Sequence, residues 1–379
     1  MPNIMAVQHD ICIRGAGIVG RALALLLARE RLRVALVAAP ERADAAPDVR
    51  AYALSPAARE LLQGLRCWPD ERHATPVLAM QVWGDQRGAT RFEAERQGVP
   101  ALNWIVDVPA LERLLADAVR YQAGIELVPE PVPAALTVVC EGRASQTRAE
   151  LGVEFDTVRY PQTAIAARLD CEHAHGQTAR QWFKANGDIL AFLPLNGPQG
   201  HQVAVVWSVQ GDDAPALMAL DDAAFAARLR DSSRGELGAL ALAGPRTSWP
   251  LLLARAARWV GAMPGRPGQS FALAGDAAHA MHPLAGQGLN VGLGDAAELT
   301  RVLAAREYWR LPSDIKLLRR YERARQGEWL RMRLATDGLQ QLFSRPEAAA
   351  VLLRNWGMSA FDRSGPLKSR IARLAMGTA

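Results

Sequence analysis

Residues 271–295 read Phe-Ala-Leu-Ala-Gly-Asp-Ala-Ala-His-Ala-Met-His-Pro-Leu-Ala-Gly-Gln-Gly-Leu-Asn-Val-Gly-Leu-Gly-Asp. An apolar run that halts at Gly275-Asp276 is a strand bringing one carboxylate to a sheet edge, where open α/β sheets bind their ligands. The loop from Pro283 to Asn290 then carries Gly286 and Gly288, which let backbone N–H groups approach a ligand closely. The pattern predicts a helix from about Val291, whose N-terminus would stabilise negative charge. Asp276, His279 and His282 invite a metal reading. One carboxylate and two imidazoles on a glycine turn, with no second acidic or histidine cluster, make a poor ligand set. The two histidines read better as polar residues that hydrogen-bond the loop, and no metal is expected.

A second glycine motif stands at the start of the chain. Residues 10–15 form a short apolar strand, Gly15-Ala16-Gly17-Ile18-Val19-Gly20 follows, and a helix of Ala and Leu runs to about Arg31 before a strand over Leu32–Val37. This is a dinucleotide fingerprint: Gly15 makes the turn, Gly17 admits the pyrophosphate and Gly20 lets helix and strand pack closely. By itself it does not separate FAD from NAD. The acidic residue expected after the second strand is missing, because Val37-Ala38-Ala39 occupies that place. Glu41 or Asp44 substitutes from the next loop, or the ribose is left to solvent.

Composition excludes several classes. The 379 residues are half hydrophobic, enough for one large or two intimately joined domains. Cys12, Cys67, Cys140 and Cys171 form no C-x-x-C pair, against both a disulfide framework and a zinc site. The net charge is +5, yet aromatic content is low, arginines are dispersed among acids and no nucleic-acid motif occurs. The basic excess gathers near the end, where Arg363, Lys368, Arg370 and Arg373 follow one acid, Asp362; this fits an anionic membrane surface better than DNA. No apolar run spans a bilayer and Met1–Asp10 lacks the pattern of a signal peptide, so the expected place is the cytoplasm.

The central stretch, from Gly275-Asp276-Ala277-Ala278-His279 through His282-Pro283-Leu284-Ala285-Gly286-Gln287-Gly288-Leu289-Asn290 to Asp295, resembles the second flavin fingerprint of the FAD-dependent aromatic hydroxylases. The likeness is greatest to the ubiquinone-biosynthesis branch. It implies that Asp276, beside the cofactor-binding Gly275, holds the FAD ribitol, that Pro283 packs beside the isoalloxazine, and that amides of Gly286, Gln287, Gly288 and Leu289, with Asn290 next to them, face flavin N1 and the C2 carbonyl. Asp48–Ser55 is similar to a segment in which an arginine, here Arg50, approaches the cofactor's ribose and pyrophosphate. Thr137–Arg148 resembles the third motif, serving the pyrophosphate region and NAD(P)H, with Glu141 in place of Asp and Gly142 and Arg148 at the other matching positions. Leu102–Leu115 is similar to a strand that feeds a helix, with Asp107 where the family has Glu. The stretch Val128–Pro133 is too short and too rich in proline for the family's three-stranded meander, and reads as a deletion bridged by an extended connection.

The remaining pattern yields a hairpin over 77–93, strands between Phe155 and Val209 with turns at Asn186-Gly187 and Asn196-Gly197, and helices at 221–230, 237–242, 296–306, 315–342 and 346–376. Trp182, Phe192 and Trp207 read as core. The fold class is α/β: a Rossmann-like FAD-binding domain (1–76, 101–158 and 262–312), an inserted antiparallel substrate sheet (77–100 and 159–261) and a helical C-terminus (313–379). The resemblance implies a flavin monooxygenase in which NAD(P)H reduces FAD and a C4a-hydroperoxide hydroxylates a phenol ring, with a polyprenyl phenol of ubiquinone biosynthesis as substrate. It assigns no general base. An apolar roof over the flavin, the basic C-terminal end and the lack of a spanning run suggest peripheral contact with the inner face of the membrane, and a complex with other quinone-biosynthesis proteins is a further expectation. The alternatives are a hydroxylase of a small soluble phenol and a flavin-poor homologue acting as scaffold or lipid-binding partner.

Overall fold

A computed structural model describes residues 9–38, 48–84, 89–280 and 288–344, the stretch 331–344 as backbone only. Six strands build the first sheet, in the spatial order Val260–Ala262, Ser270–Leu273, Ala134–Val139, His9–Arg14, Val34–Val37, Ile125–Val128. All neighbours are parallel except the hairpin that joins the first two. The strands are near-continuous apolar runs, Ile11-Cys12-Ile13 and Val34-Ala35-Leu36 among them, because a parallel sheet is covered on both faces. Helices Ile18–Arg29, Val108–Tyr121 and Gly288–Ala304 contribute Leu23, Leu27, Leu111, Leu115, Leu299 and Leu303 to the core on one face. Trp259, Phe271, Leu273 and Trp329 meet on the other.

The shortened connection is taut. From Val128 at one edge the chain must pass Val34–Val37 and His9–Arg14 to start its next strand at Ala134, a lateral shift of three strand spacings, about 14 Å. Residues 129–133 bridge it without regular structure, as their prolines dictate, and the Val132 backbone passes beside the thiol of Cys12 on the way.

The second sheet runs His279–Ala280, Thr247–Ala256, Phe155–Cys171, Gln202–Gln210, Ile189–Leu195, Thr178–Phe183, Ala79–Trp83, Ala89–Glu93, with Leu240–Leu242 added beside Phe155–Cys171. Its pairs are antiparallel apart from Thr178–Phe183 with Ala79–Trp83. Trp182, Phe192 and Trp207 are buried in its core, Trp182 stacked on Trp83 at 4.8 Å. A small sheet of Ala51–Leu54, Asn103–Asp107 and Ala74–Val77 lies between the two large ones in the chain's path. Asp107 caps the helix that follows by accepting from the Ala110 amide.

Three expectations need correction. Leu237–Leu242 is not a helix: Gly235 and Gly238 have φ of 69° and 72°, and Leu240–Leu242 pairs with Leu169–Cys171, so an available strand edge outweighs a weak helical pattern. Val77 ends a strand of the small sheet and the hairpin begins at Ala79. The helix expected from Val291, with a separate segment at 296–306, is one element, Gly288–Ala304, so Gly288, Leu289 and Asn290 lie in its first turn. The expectations for Glu41, Asp44, the 85–88 turn, His282, Pro283, Gly286, Gln287 and the 346–376 helix fall outside the described residues.

Candidate active site

The edge of the parallel sheet gathers the glycine motifs. A Cβ on Gly20 would collide with the Gly15 carbonyl, and one on Gly15, at φ 110°, would meet the Cys140 carbonyl, so both serve close backbone packing. Gly17 differs, since a Cβ there would meet nothing within 4 Å. Gly17 is the N-cap of the helix Ile18–Arg29, no side chain caps it, and its first turn carries no acid. The first-turn amides of Ile18, Val19 and Gly20 are thus the kind of donors that an anion satisfies.

Beside this lie two carboxylates of opposite character. Asp276 is exposed to solvent, yet protein surrounds it closely enough that burial raises its carboxyl above the usual range against the pull of His279, Arg143 and Arg50. No described group donates a hydrogen bond to it. Asp295 is fully buried. Its oxygens accept from the Gly275 amide (2.8 Å), His279 Nε2 (2.6 Å) and Arg325 Nε (2.7 Å). Burial raises its carboxyl, but His279 and Arg325 more than offset this and hold it below the usual range. Gly275, at φ 61°, is therefore fixed from behind. His279 acts there as a structural partner, and His279-Ala280 continues into the second sheet against Ala254-Arg255.

Arg325 was not foreseen. It donates also to the Val291 carbonyl at 3.0 Å and pairs with Glu328, tying the long helix Ile315–Ser344 to the glycine stretch. A signal existed: Tyr321, Arg325 and Trp329 are spaced by four on one helix face, and the flanking aromatics are both buried. A cation within an apolar stripe needs a buried acid.

The other sequence-nominated residues divide sharply. Glu141 is occupied within the protein: it accepts from Ser145 Oγ (2.7 Å), Thr147 N (3.1 Å) and Thr147 Oγ1 (2.5 Å), and pairs with Arg14 at 3.3 Å. Arg148 is buried over the Phe155 ring and donates to the carbonyls of Ala277 (3.1 Å) and Arg143 (2.9 Å). It clasps the third motif to the Gly275–Ala277 turn. Gly142 is left-handed, φ 76°, with open space where a Cβ would stand. Asn290 accepts from the Ser55 amide and donates to the Ala53 carbonyl, which uses its side chain to hold the helix against the strand Ala51–Leu54. Arg50 is paired to Asp48 at 2.6 Å and donates to Tyr52 Oη at 3.4 Å.

Arg50, Tyr52 and Asn290 also line a cavity that extends from this edge under the second sheet. Its wall is apolar and short: Ala51, Ala53, Ala166, Ala179, Ala191 and Ala204 all contribute, with Trp249 and Leu193 among the larger groups. Polar atoms are few. Burial raises the Tyr52 phenol, which stays a neutral donor, and the Asn103 Oδ1 is buried without a partner.

A cleft edge with an open glycine, an uncapped helix N-terminus and a carboxylate that no described group donates to, opening into an apolar cavity, fits FAD and the class of flavoproteins that act on apolar substrates. Comparison bears this out. Residues 116–328 match the FAD binding domain family. The chain is 34% identical to ubiquinone hydroxylase UbiL of Rhodospirillum rubrum, covering 97% of this chain and 90% of that one. It is 30% identical to 3-demethoxyubiquinol 3-hydroxylase of Escherichia coli, over 97% and 98% of the two chains. The p-nitrophenol 4-monooxygenase PnpA of Pseudomonas putida shares the fold at a TM-score of 0.74, with 17% identity over 96% of each chain. The chain belongs to the FAD-dependent hydroxylases of ubiquinone biosynthesis.

Proposed function

We propose that the protein hydroxylates the ring of a polyprenyl phenol, a ubiquinone precursor, with FAD as cofactor, NAD(P)H as electron donor and O2 as oxidant. FAD supplies the oxygen-activating chemistry when bound. The observation that carries the substrate reading is the alanine-floored cavity beside Arg50, Tyr52 and Asn290, whose shallow apolar wall leaves room for a substituted ring with a hydrocarbon tail. In this reading Gly17 and the amides of Ile18 to Gly20 receive the diphosphate, Asp276 takes the ribitol hydroxyls, and Gly288 and Leu289 lie at the flavin-ring end. Asn103 Oδ1 accepts from the phenol, while Tyr52 and the alanines exclude water and orient the ring. Pro283, Gly286 and Gln287 keep their proposed places beside the isoalloxazine on the strength of the family pattern.

The test is direct. Purified protein with NAD(P)H, O2 and a prenylated phenol should give a product heavier by one oxygen atom. Ala191→Phe should abolish that product while flavin content stays at the wild-type level. Turnover of small phenols alone, unaffected by Ala191→Phe, would overturn the polyprenyl assignment. Among the described residues no helix is long and apolar enough to cross a membrane. A tail-bearing substrate then calls for contact at the bilayer surface, and flotation with anionic liposomes that weakens at high salt would support peripheral binding. Association with other quinone-biosynthesis proteins is proposed on the same chemistry, since it would pass an insoluble intermediate between sites.

A further inference from the structure

The order of strands at the ligand edge dictates what a dinucleotide must cross. From Ser270–Leu273, which leads to Asp276, the next strands are Ala134–Val139, then His9–Arg14 with the fingerprint glycines, then Val34–Val37 with Ala38. A cofactor with its ribitol at Asp276 and its adenosine beyond Val37 passes the loop 140–145 on its way to Gly17. The charged groups about this loop are mostly spent. Glu141 is saturated by Ser145, Thr147 and Arg14. Arg14 is further paired to Glu150 at 3.6 Å, Arg148 is buried in its carbonyl clasp, and Arg50 is held by Asp48. Arg143 stands apart: it is exposed, its carbonyl is pinned by Arg148, and its guanidinium has no hydrogen bond or ion pair among the described residues.

We propose that Arg143 supplies the cation for the diphosphate of bound FAD, and that Glu141 and Arg148 are the positioning residues that fix its loop. The assignment rests on the FAD reading above. It is supported by the attraction that Arg143 exerts on Asp276 across the same cleft. It also gives the cofactor an anchor at its centre where the adenosine end, at Ala38, offers no carboxylate. Arg143 lies one residue beyond the motif positions Glu141 and Gly142, so motif matching passes over it.

Deflavinated wild-type, Arg143→Gln, Arg143→Lys and Asp276→Ala proteins, titrated with FAD and with riboflavin, which lacks phosphate, decide the matter. Arg143→Gln should weaken FAD binding roughly tenfold to a hundredfold and flatten its dependence on salt. Riboflavin affinity and the melting temperature of the apoprotein should not change, and Arg143→Lys should restore most of the loss. Equal loss for FAD and riboflavin would mean a distorted loop and overturn the proposal. Unchanged FAD affinity in Arg143→Gln beside a loss in Asp276→Ala would overturn it while leaving the FAD site intact. A raised KM for NAD(P)H alone would move the cation to the hydride donor and likewise overturn it. No loss in either variant would instead refute the FAD reading itself.

Discussion

Asp276 and Asp295 stand at the two ends of one glycine-rich stretch, the first open to solvent on one side and the second fully buried, and their environments are opposite. Asp295 accepts from the Gly275 amide, the His279 ring and the Arg325 guanidinium and is held below the usual carboxylate range. Asp276 has no described donor and its carboxyl is pushed up by burial. A carboxylate enclosed by protein carries a desolvation cost that its partners must offset. Where the chain supplies those partners the residue is structural; where it leaves them out beside an open glycine and an uncapped helix, the function proposed above gives them to the cofactor. The same division separates Glu141, Arg148 and Asn290, all spent on protein partners, from Arg143, whose guanidinium has none among the described residues.

The largest expected effect is on the saturated side. Asp295→Ala takes from buried Arg325 its buried acid, leaving it only the half-exposed Glu328, and leaves the Gly275 amide without an acceptor, at a cost of about 3–5 kcal/mol. Calorimetry should show a steep fall in melting temperature even without FAD, and a wild-type melt would dissolve the contrast.

Acid should separate the two residues next. The depressed Asp295 contributes stability that is present above the ordinary carboxylate pKa and is lost as pH falls through its folded-state value. The raised Asp276 behaves in reverse: it costs stability at neutral pH, and protonation relieves this as pH falls through its raised value. Urea titrations of the apoprotein from pH 7 to 3 should therefore lose their steep acid limb in Asp295→Asn and show a deeper decline in Asp276→Asn than in wild type. Identical profiles for both variants would break the comparison.

On the open side, Asp276→Ala should leave the apoprotein at least as stable as wild type, yet weaken FAD roughly tenfold to a hundredfold, about 1.4–2.8 kcal/mol. Fluorescence titration of the apoprotein measures this, and wild-type affinity would exclude Asp276 as the ribitol residue. The smallest effect belongs to the adenosine end. Ala38→Glu should tighten FAD by about tenfold, about 1.4 kcal/mol, through charge-assisted bonds to the ribose. Weaker binding instead would mean that another carboxylate, with Glu41 the first to test by substitution, already occupies that place.

Much of this protein was legible in one dimension. Glycines at Gly15, Gly20 and Gly275, where a side chain would collide with backbone or strain it, marked the strand ends and their turns, because backbone approach leaves so little choice of side chain. The apolar strands and the long helix after Ile315 were readable from their periods. The segment 237–242 was not, since its state depended on a strand edge at Leu169–Cys171 from far along the chain. What sequence could not assign was the use of each polar group. Glu141 and Arg148 match the motif, and only the fold reveals that their hydrogen bonds are already spent on Thr147, Ser145, Ala277 and the Arg143 carbonyl. Arg325 and Asp295 are 30 residues apart, and their pairing appears only when two helices cross. Backbone requirements are local and are written in residue types; the satisfaction of a buried charge is a property of its surroundings, and those exist only once the chain has packed.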